Sequence, residues 1–180
     1  MRLKPENCLT LAIDYQERLV PPVEDRETLI KNSRILLEGL GVLGLPLIVS
    51  RQYPEKLGDS IPEIKEVTGP GLVLDKTDFS CYQDPALKEA IDRTGRKTVI
   101  ICGVEAHICV LQTCVDLAEA GFQVVVPADC VGSRRGLDKK YGLKRLVQEG
   151  CLAATYESIL FELTVGKSSS AFKDISRLVK

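Results

Sequence analysis

Apolar residues along this chain gather in short runs that alternate with stretches of helical spacing. Six runs read as strands: residues 8–14, 45–50, 71–74, 97–104, 122–127 and 151–156. They are continuous rather than alternating, the pattern of strands covered on both faces in a parallel sheet. Between them, residues 25–43 carry apolar side chains at 29, 30, 35, 36, 37, 40 and 43, a spacing near 3.6 that predicts a helix. A second helix is predicted over 85–94, with Asp84 as its N-cap, Pro85 in its first position and Gly95 at its end. Residues 108–120 and 137–148 predict two more, closed by Gly121 and Gly150, and a last helix begins near Ser170. Residues 53–70 carry Pro54, Pro62 and Pro70 without clear periodicity and read as an excursion at the rim of the sheet. Alternating β and α elements over 1–180, with no internal repeat, predict one doubly wound α/β domain.

Composition narrows the function classes. The 180 residues suffice for a core without staples. With 24 basic and 25 acidic residues the formal charge is −1, which argues against an electrostatic nucleic-acid binder or a polybasic membrane binder. No run approaches the 18 apolar residues of a membrane span, and the polar start is unlike a signal peptide. The seven cysteines (8, 81, 102, 109, 114, 130 and 151) include no CxxC pair, and His107 is the single histidine. A zinc ribbon, a thioredoxin-type centre and an imidazole-rich metal site are therefore not expected, and reduced thiols in a cytoplasmic protein are. GxxxxGK[ST] does not occur and no GxGxxG follows a predicted strand, so no cofactor motif is found.

In open parallel sheets ligands sit beyond the carboxyl ends of the strands. The first run ends in Asp14-Tyr15-Gln16, the third leads into Asp75-Lys76, and the fourth into a turn that reaches Cys109 at the start of a predicted helix. An acid, a lysine and a thiol can thus converge on one crevice. A helix N-terminus and a neighbouring lysine both lower a thiol pKa, and the free N–H groups can hold an oxyanion. Asp14 can take the thiol proton and later activate water. Each residue also has a plainer reading: Cys109 as packing, Asp14 as a turn cap or ion-pair partner, Lys76 as a solvated or paired lysine. The other cysteines read as packing, except that Cys81 lies near the crevice. His107 reads as supporting or structural, and Arg134 with Arg135 as a solvated pair, an anion site or a subunit contact.

The segment Gly103-Val-Glu-Ala-His-Ile-Cys-Val-Leu-Gln-Thr113 resembles the nucleophile segment of isochorismatase-like cysteine hydrolases. Leu11-Ala-Ile-Asp-Tyr-Gln16 resembles that family's first strand, and Asp75-Lys-Thr-Asp-Phe-Ser80 its lysine segment. Residues 123–134 resemble the strand that follows the nucleophile helix. The resemblance spans nearly the whole chain in the order Asp, Lys, Cys. It implies a three-layer α-β-α fold with a six-stranded parallel sheet of order 3-2-1-4-5-6. It also implies roles: Cys109 as nucleophile, Asp14 as general base and Lys76 as the charge that steadies the thiolate. A cis peptide is implied at Val104–Glu105, and an oxyanion hole from the backbone N–H groups of Glu105 and Cys109. Gln16 and Phe79 are implied pocket residues, and a homo-oligomer is implied as the assembly.

Two departures shape the expectation. Ala106 stands where many relatives have threonine. The stretch Ser50-Arg-Gln-Tyr-Pro54 lacks the histidine of metal-dependent, nicotinamidase-type members, so no catalytic metal is expected. The expected activity is cleavage of an amide-like bond in a small molecule through an acyl-thioester. Two rival readings are a silent relative serving as a binding or assembly module, and a redox sensor joining Cys109 to Cys114 or Cys81.

Overall fold

A computed structural model describes residues 2–69 and 71–180. Met1 and Pro70, the latter the last of the three prolines in the 53–70 stretch, lie outside the described residues. The strands are β1 (Cys8–Ile13), β2 (Leu47–Gln52), β3 (Leu72–Lys76), β4 (Thr98–Val104), β5 (Gln123–Pro127), β6 (Val131–Gly132) and β7 (Leu152–Ala154). The sheet runs β3-β2-β1-β4-β5-β7, with β6 paired to β4 off that path, and every strand pairing is parallel. Six strands thus stand in the expected order. The two-residue β6 is an addition, too short to register as an apolar run.

The helices are α1 (Arg26–Val42), α2 (Pro54–Leu57), α3 (Pro62–Thr68), α4 (Pro85–Arg93), α5 (Cys109–Glu119), α6 (Gly136–Gln148), α7 (Tyr156–Thr164) and α8 (Phe172–Leu178). Asp84 caps α4 by accepting from the N–H groups of Ala86 and Leu87. Three helices escape the periodicity. In α2 and α3 the prolines do not break a helix but open one, where the missing N–H is an orphan anyway. Helix α7 begins inside the stretch read as the sixth strand. There Thr155 and Ser158 form a capping box that turns the chain after three β7 residues.

Strand alternation divides the core. Cys8 and Ala12 of β1 and Ile100, Cys102 and Val104 of β4 face one layer, with α1, α7 and α8. Leu9, Leu11 and Ile13 of β1 and Val99 and Ile101 of β4 face the other, with α4, α5 and α6. Burial on both faces holds for β1 and β4 but not for β3 and β7, which close the sheet at its two edges and expose Leu72, Val73 and Leu152.

The 53–70 excursion is tied down at the carboxyl end of the sheet. Gln16 bridges to Ser60, and the Ile61 N–H donates to the Tyr15 carbonyl. Arg51 joins Asp59 to Asp75, and Lys65 together with Arg51 holds the Asp59 carboxyl well below the usual range. No helix of the described residues is long and apolar enough to cross a membrane.

Candidate active site

Three chain turns meet beyond the carboxyl ends of β1, β3 and β4. Asp14 follows β1 with a left-handed backbone (φ 54°), a conformation an aspartate tolerates better than most residues. Its N–H donates to the Ser50 carbonyl, and its Oδ1 accepts from Ser50 Oγ at 2.7 Å. Lys76, the last residue of β3, donates from Nζ to Asp14 Oδ2 at 2.7 Å, to Gln52 Oε1 at 2.5 Å and to the Asp78 carbonyl at 3.2 Å. Both side chains of the Asp14–Lys76 pair are fully buried. Burial opposes the lysine's charge, but Asp14, with Cys109 and Cys81 nearby, holds its pKa above the ordinary value.

The third turn leaves β4 through a cis Val104–Glu105 peptide and reaches Cys109, the first residue of α5. Ala106 N–H donates to the Gly132 carbonyl at 2.7 Å, while Ile108 and Val110 donate to the Glu105 carbonyl. Among the described residues no acceptor takes the N–H of Glu105 or of Cys109. The Cys109 N–H belongs to the first turn of a helix, where no internal partner exists. Two unpartnered donors therefore lie on the turn that carries the thiol.

The thiol itself departs from expectation. Burial pushes Cys109 up to about 12, Asp14 adds to the rise, and Lys76 opposes it. A helix N-terminus and a lysine were expected to lower it. In this closed site, with only 6% of Cys109 exposed, desolvation outweighs the lysine. Burial thus favours the protonated thiol at rest.

The remaining candidates fall around this centre. Gln16 is fully buried, and its amide is turned to the backbone: Nε2 donates to the carbonyls of Gln52 and Gly58, and Oε1 accepts from Gln52 N–H. It braces the site instead of facing a pocket, because all its polar atoms are already engaged. Phe79 is about half exposed and lines a cleft of 370 Å³ with Ser80, Gln83, Leu111 and Gln112, along the outer side of α5. A second cleft, of 320 Å³, reaches Lys76 past Tyr53, Glu55 and Thr77. His107 bonds Ser133 through Nδ1 at 3.0 Å, in keeping with a supporting role. Arg134 does not stand free in solvent. It clamps the buried Glu105 carboxylate with its N–H at 2.9 Å and Nε at 3.1 Å. Arg135 remains exposed near Asp138.

Cys81 is buried within the electrostatic reach of Asp14 and Lys76, and burial lifts its thiol to about 11. Cys114, five residues beyond Cys109, interacts instead with Cys151. Among the described residues no group of three or more His, Cys, Asp or Glu side chains gathers to hold a metal ion.

Ser50 and Gln52 were passed over as site residues, although both touch the central pair. The available signal was two polar residues, two apart, at the end of an otherwise apolar strand. That spacing puts both on one face.

Comparison with known proteins agrees with this fold. The Isochorismatase domain family model matches residues 8–158. Isochorismatase domain-containing protein 1 of Danio rerio is 37% identical over 179 residues, 99% of this chain and 62% of that protein. The chain thus spans less than two thirds of that relative's length. The structure of the MAR1 ribonuclease from Caenorhabditis elegans superposes with a TM-score of 0.93 at 33% identity, covering 99% of this chain and 92% of the other. The YcaC gene product of Escherichia coli, described as an octameric hydrolase of unknown specificity, shares the fold with a TM-score of 0.92 at 22% identity, over 99% and 90% of the two chains.

Proposed function

The chain belongs to the isochorismatase domain family of hydrolases, and from that premise we propose that it is a metal-independent cysteine hydrolase of a small amide-like substrate. One observation carries the reading: Asp14, Lys76 and the buried Cys109 thiol meet at one end of the sheet beside two unpartnered backbone donors.

The Cys109 sulfur attacks the carbonyl carbon as its proton passes to Asp14. The carbonyl oxygen becomes an oxyanion that accepts from the N–H groups of Glu105 and Cys109. Collapse breaks the C–N bond, the amine leaves with the proton from Asp14, and an acyl-thioester remains. Asp14 then takes a proton from water as the hydroxide attacks the thioester. The carboxylic acid leaves, and the sulfur recovers its proton. Throughout, Lys76 balances the charge that moves between Asp14 and the sulfur. Seven free, buried cysteines fit a reducing cytoplasm, and the exposed Leu137 and Tyr141 of α6 offer apolar surface for a homo-oligomer.

The test is a panel of small amides with wild type, Cys109→Ala and Asp14→Asn, run with and without hydroxylamine. Wild type should release amine and, with hydroxylamine, form the hydroxamate from the intercepted thioester. Cys109→Ala should be inactive, and Asp14→Asn slower by about 10²–10⁴-fold. RNA joins the panel because the Caenorhabditis elegans relative is named a ribonuclease. Amide turnover that survives Cys109→Ala, or cleavage of RNA alone, would overturn the proposal.

A further inference from the structure

Strand β2 sends two polar side chains toward the site and one away, because successive residues point to opposite faces. Ser50 Oγ donates to Asp14 Oδ1 at 2.7 Å, and Gln52 Oε1 accepts from Lys76 Nζ at 2.5 Å. Arg51, between them, binds Asp59 and Asp75 instead. Gln52 is itself held through both its side chain and its backbone. Its Nε2 donates to the Thr77 carbonyl at 2.7 Å, and its backbone N–H donates to Gln16 Oε1 at 2.7 Å. With its nitrogen committed to Thr77, the amide can present only oxygen to the lysine.

An ammonium has three N–H donors. Those of Lys76 have three acceptors: Asp14 Oδ2, Gln52 Oε1 and the Asp78 carbonyl. No proton is left over for the Cys109 sulfur. We infer that Gln52 is a positioning residue: its clamped amide oxygen fixes the Lys76 ammonium against Asp14, so that Lys76 acts on Cys109 as a stationary charge and Asp14 alone carries the proton. The inference rests on Cys109 being the nucleophile. A neutral amide is the suitable acceptor. A carboxylate at position 52 would compete with Asp14 for the ammonium and set a second negative charge near the sulfur. An aliphatic side chain would leave one N–H without a partner.

Two readouts need no substrate. In protein labelled with ¹⁵N-lysine, the Lys76 ammonium should give a correlation protected from solvent exchange, assigned by its loss in Lys76→Arg. In Gln52→Leu that correlation should broaden away; Gln52→Asn, an amide too short to reach, replaces it if the leucine variant does not fold. Iodoacetamide alkylation of Cys109, followed at pH 8 by mass spectrometry, should be at least tenfold slower in the isosteric Gln52→Glu. An unchanged Lys76 correlation in Gln52→Leu or Gln52→Asn, or Gln52→Glu alkylation within twofold of wild type, would overturn the inference. The hydroxylamine trap reports separately on the nucleophile. Failure of the trap with a changed Lys76 signal would sink the hydrolase reading, whereas a working trap with no change at Lys76 would sink the positioning role alone.

Discussion

Lys76 Nζ lies 2.7 Å from Asp14 Oδ2, and neither side chain reaches solvent. Two charges are taken from water at the point where an otherwise apolar sheet ends. Their mutual attraction offsets that cost only because the remaining atoms are also bonded, Asp14 Oδ1 to Ser50 and the other two lysine protons to Gln52 and Asp78. The pair therefore couples stability to the chemistry proposed for the site.

Removing one partner should cost more than removing both. Lys76→Met leaves Asp14 buried without its cation, a loss of about 3–5 kcal/mol. Adding Asp14→Asn to that variant neutralises the orphan and should recover much of the loss, while activity stays absent in both. Urea midpoints of the single and double variants measure this. A Lys76→Met protein as stable as wild type would show that the two groups are not ionised together.

Alkaline pH should weaken the fold through its thiols. Burial raises Cys81 to about 11 and Cys102 and Cys109 to about 12, each from an ordinary value of 9.0. A raised folded-state pKa means that the native state holds the proton more tightly than the unfolded chain does. Its contribution is complete below about pH 9 and is lost as pH climbs to 12. Urea midpoints should be level from pH 7 to 8.5 and fall steadily above it, with a shallower fall in Cys102→Ala. A flat profile to pH 11 would contradict the burial of these thiols.

The architecture was legible because its signals are local. The continuous runs at β1 and β4 announce strands covered on both faces, and the 3.6 spacing from Leu29 to Leu40 announces α1. Asp14, Lys76 and Cys109 were legible because strand ends in a parallel sheet point at one crevice. What stayed hidden depends on partners distant in the chain. Gln52 matters only because β3 brings Lys76 alongside it. Arg134 looks like a solvated residue until β6 carries it next to Glu105. The thiol pKa was misread because sequence shows the helix start and the lysine but not the depth of burial, which is the larger effect.

Gly103 should be irreplaceable, for steric reasons. It takes φ 131°, and a Cβ there would lie 2.0 Å from the Ile13 carbonyl oxygen, on the residue before Asp14. Gly103→Ala must push β4 from β1 beside the site, so it should abolish activity and either prevent folding or cost more than about 4 kcal/mol. Gly121→Ala is the control: its φ of 87° is also left-handed, but nothing lies within 4 Å, so the loss should be confined to backbone strain of about 1–3 kcal/mol. Thermal melts of the two variants separate contact from conformation, and equal losses would remove the steric argument.

Thr10 offers the opposite outcome, a substitution that stabilises. It sits in the middle of β1 at 1% exposure, and among the described residues its Oγ1 has no hydrogen-bond partner. A buried hydroxyl without a partner costs about 1–3 kcal/mol of desolvation. Valine has the same branched shape and strand preference without that group. Thr10→Val should therefore raise the urea midpoint by the equivalent of about 1 kcal/mol or more, with the chemistry at Asp14, four residues on, unaltered. Thr10→Ser keeps the hydroxyl and removes only the methyl, so it should lower stability by about 1 kcal/mol through lost apolar burial. If valine destabilises the protein as serine does, the hydroxyl has an acceptor and the orphan assignment fails.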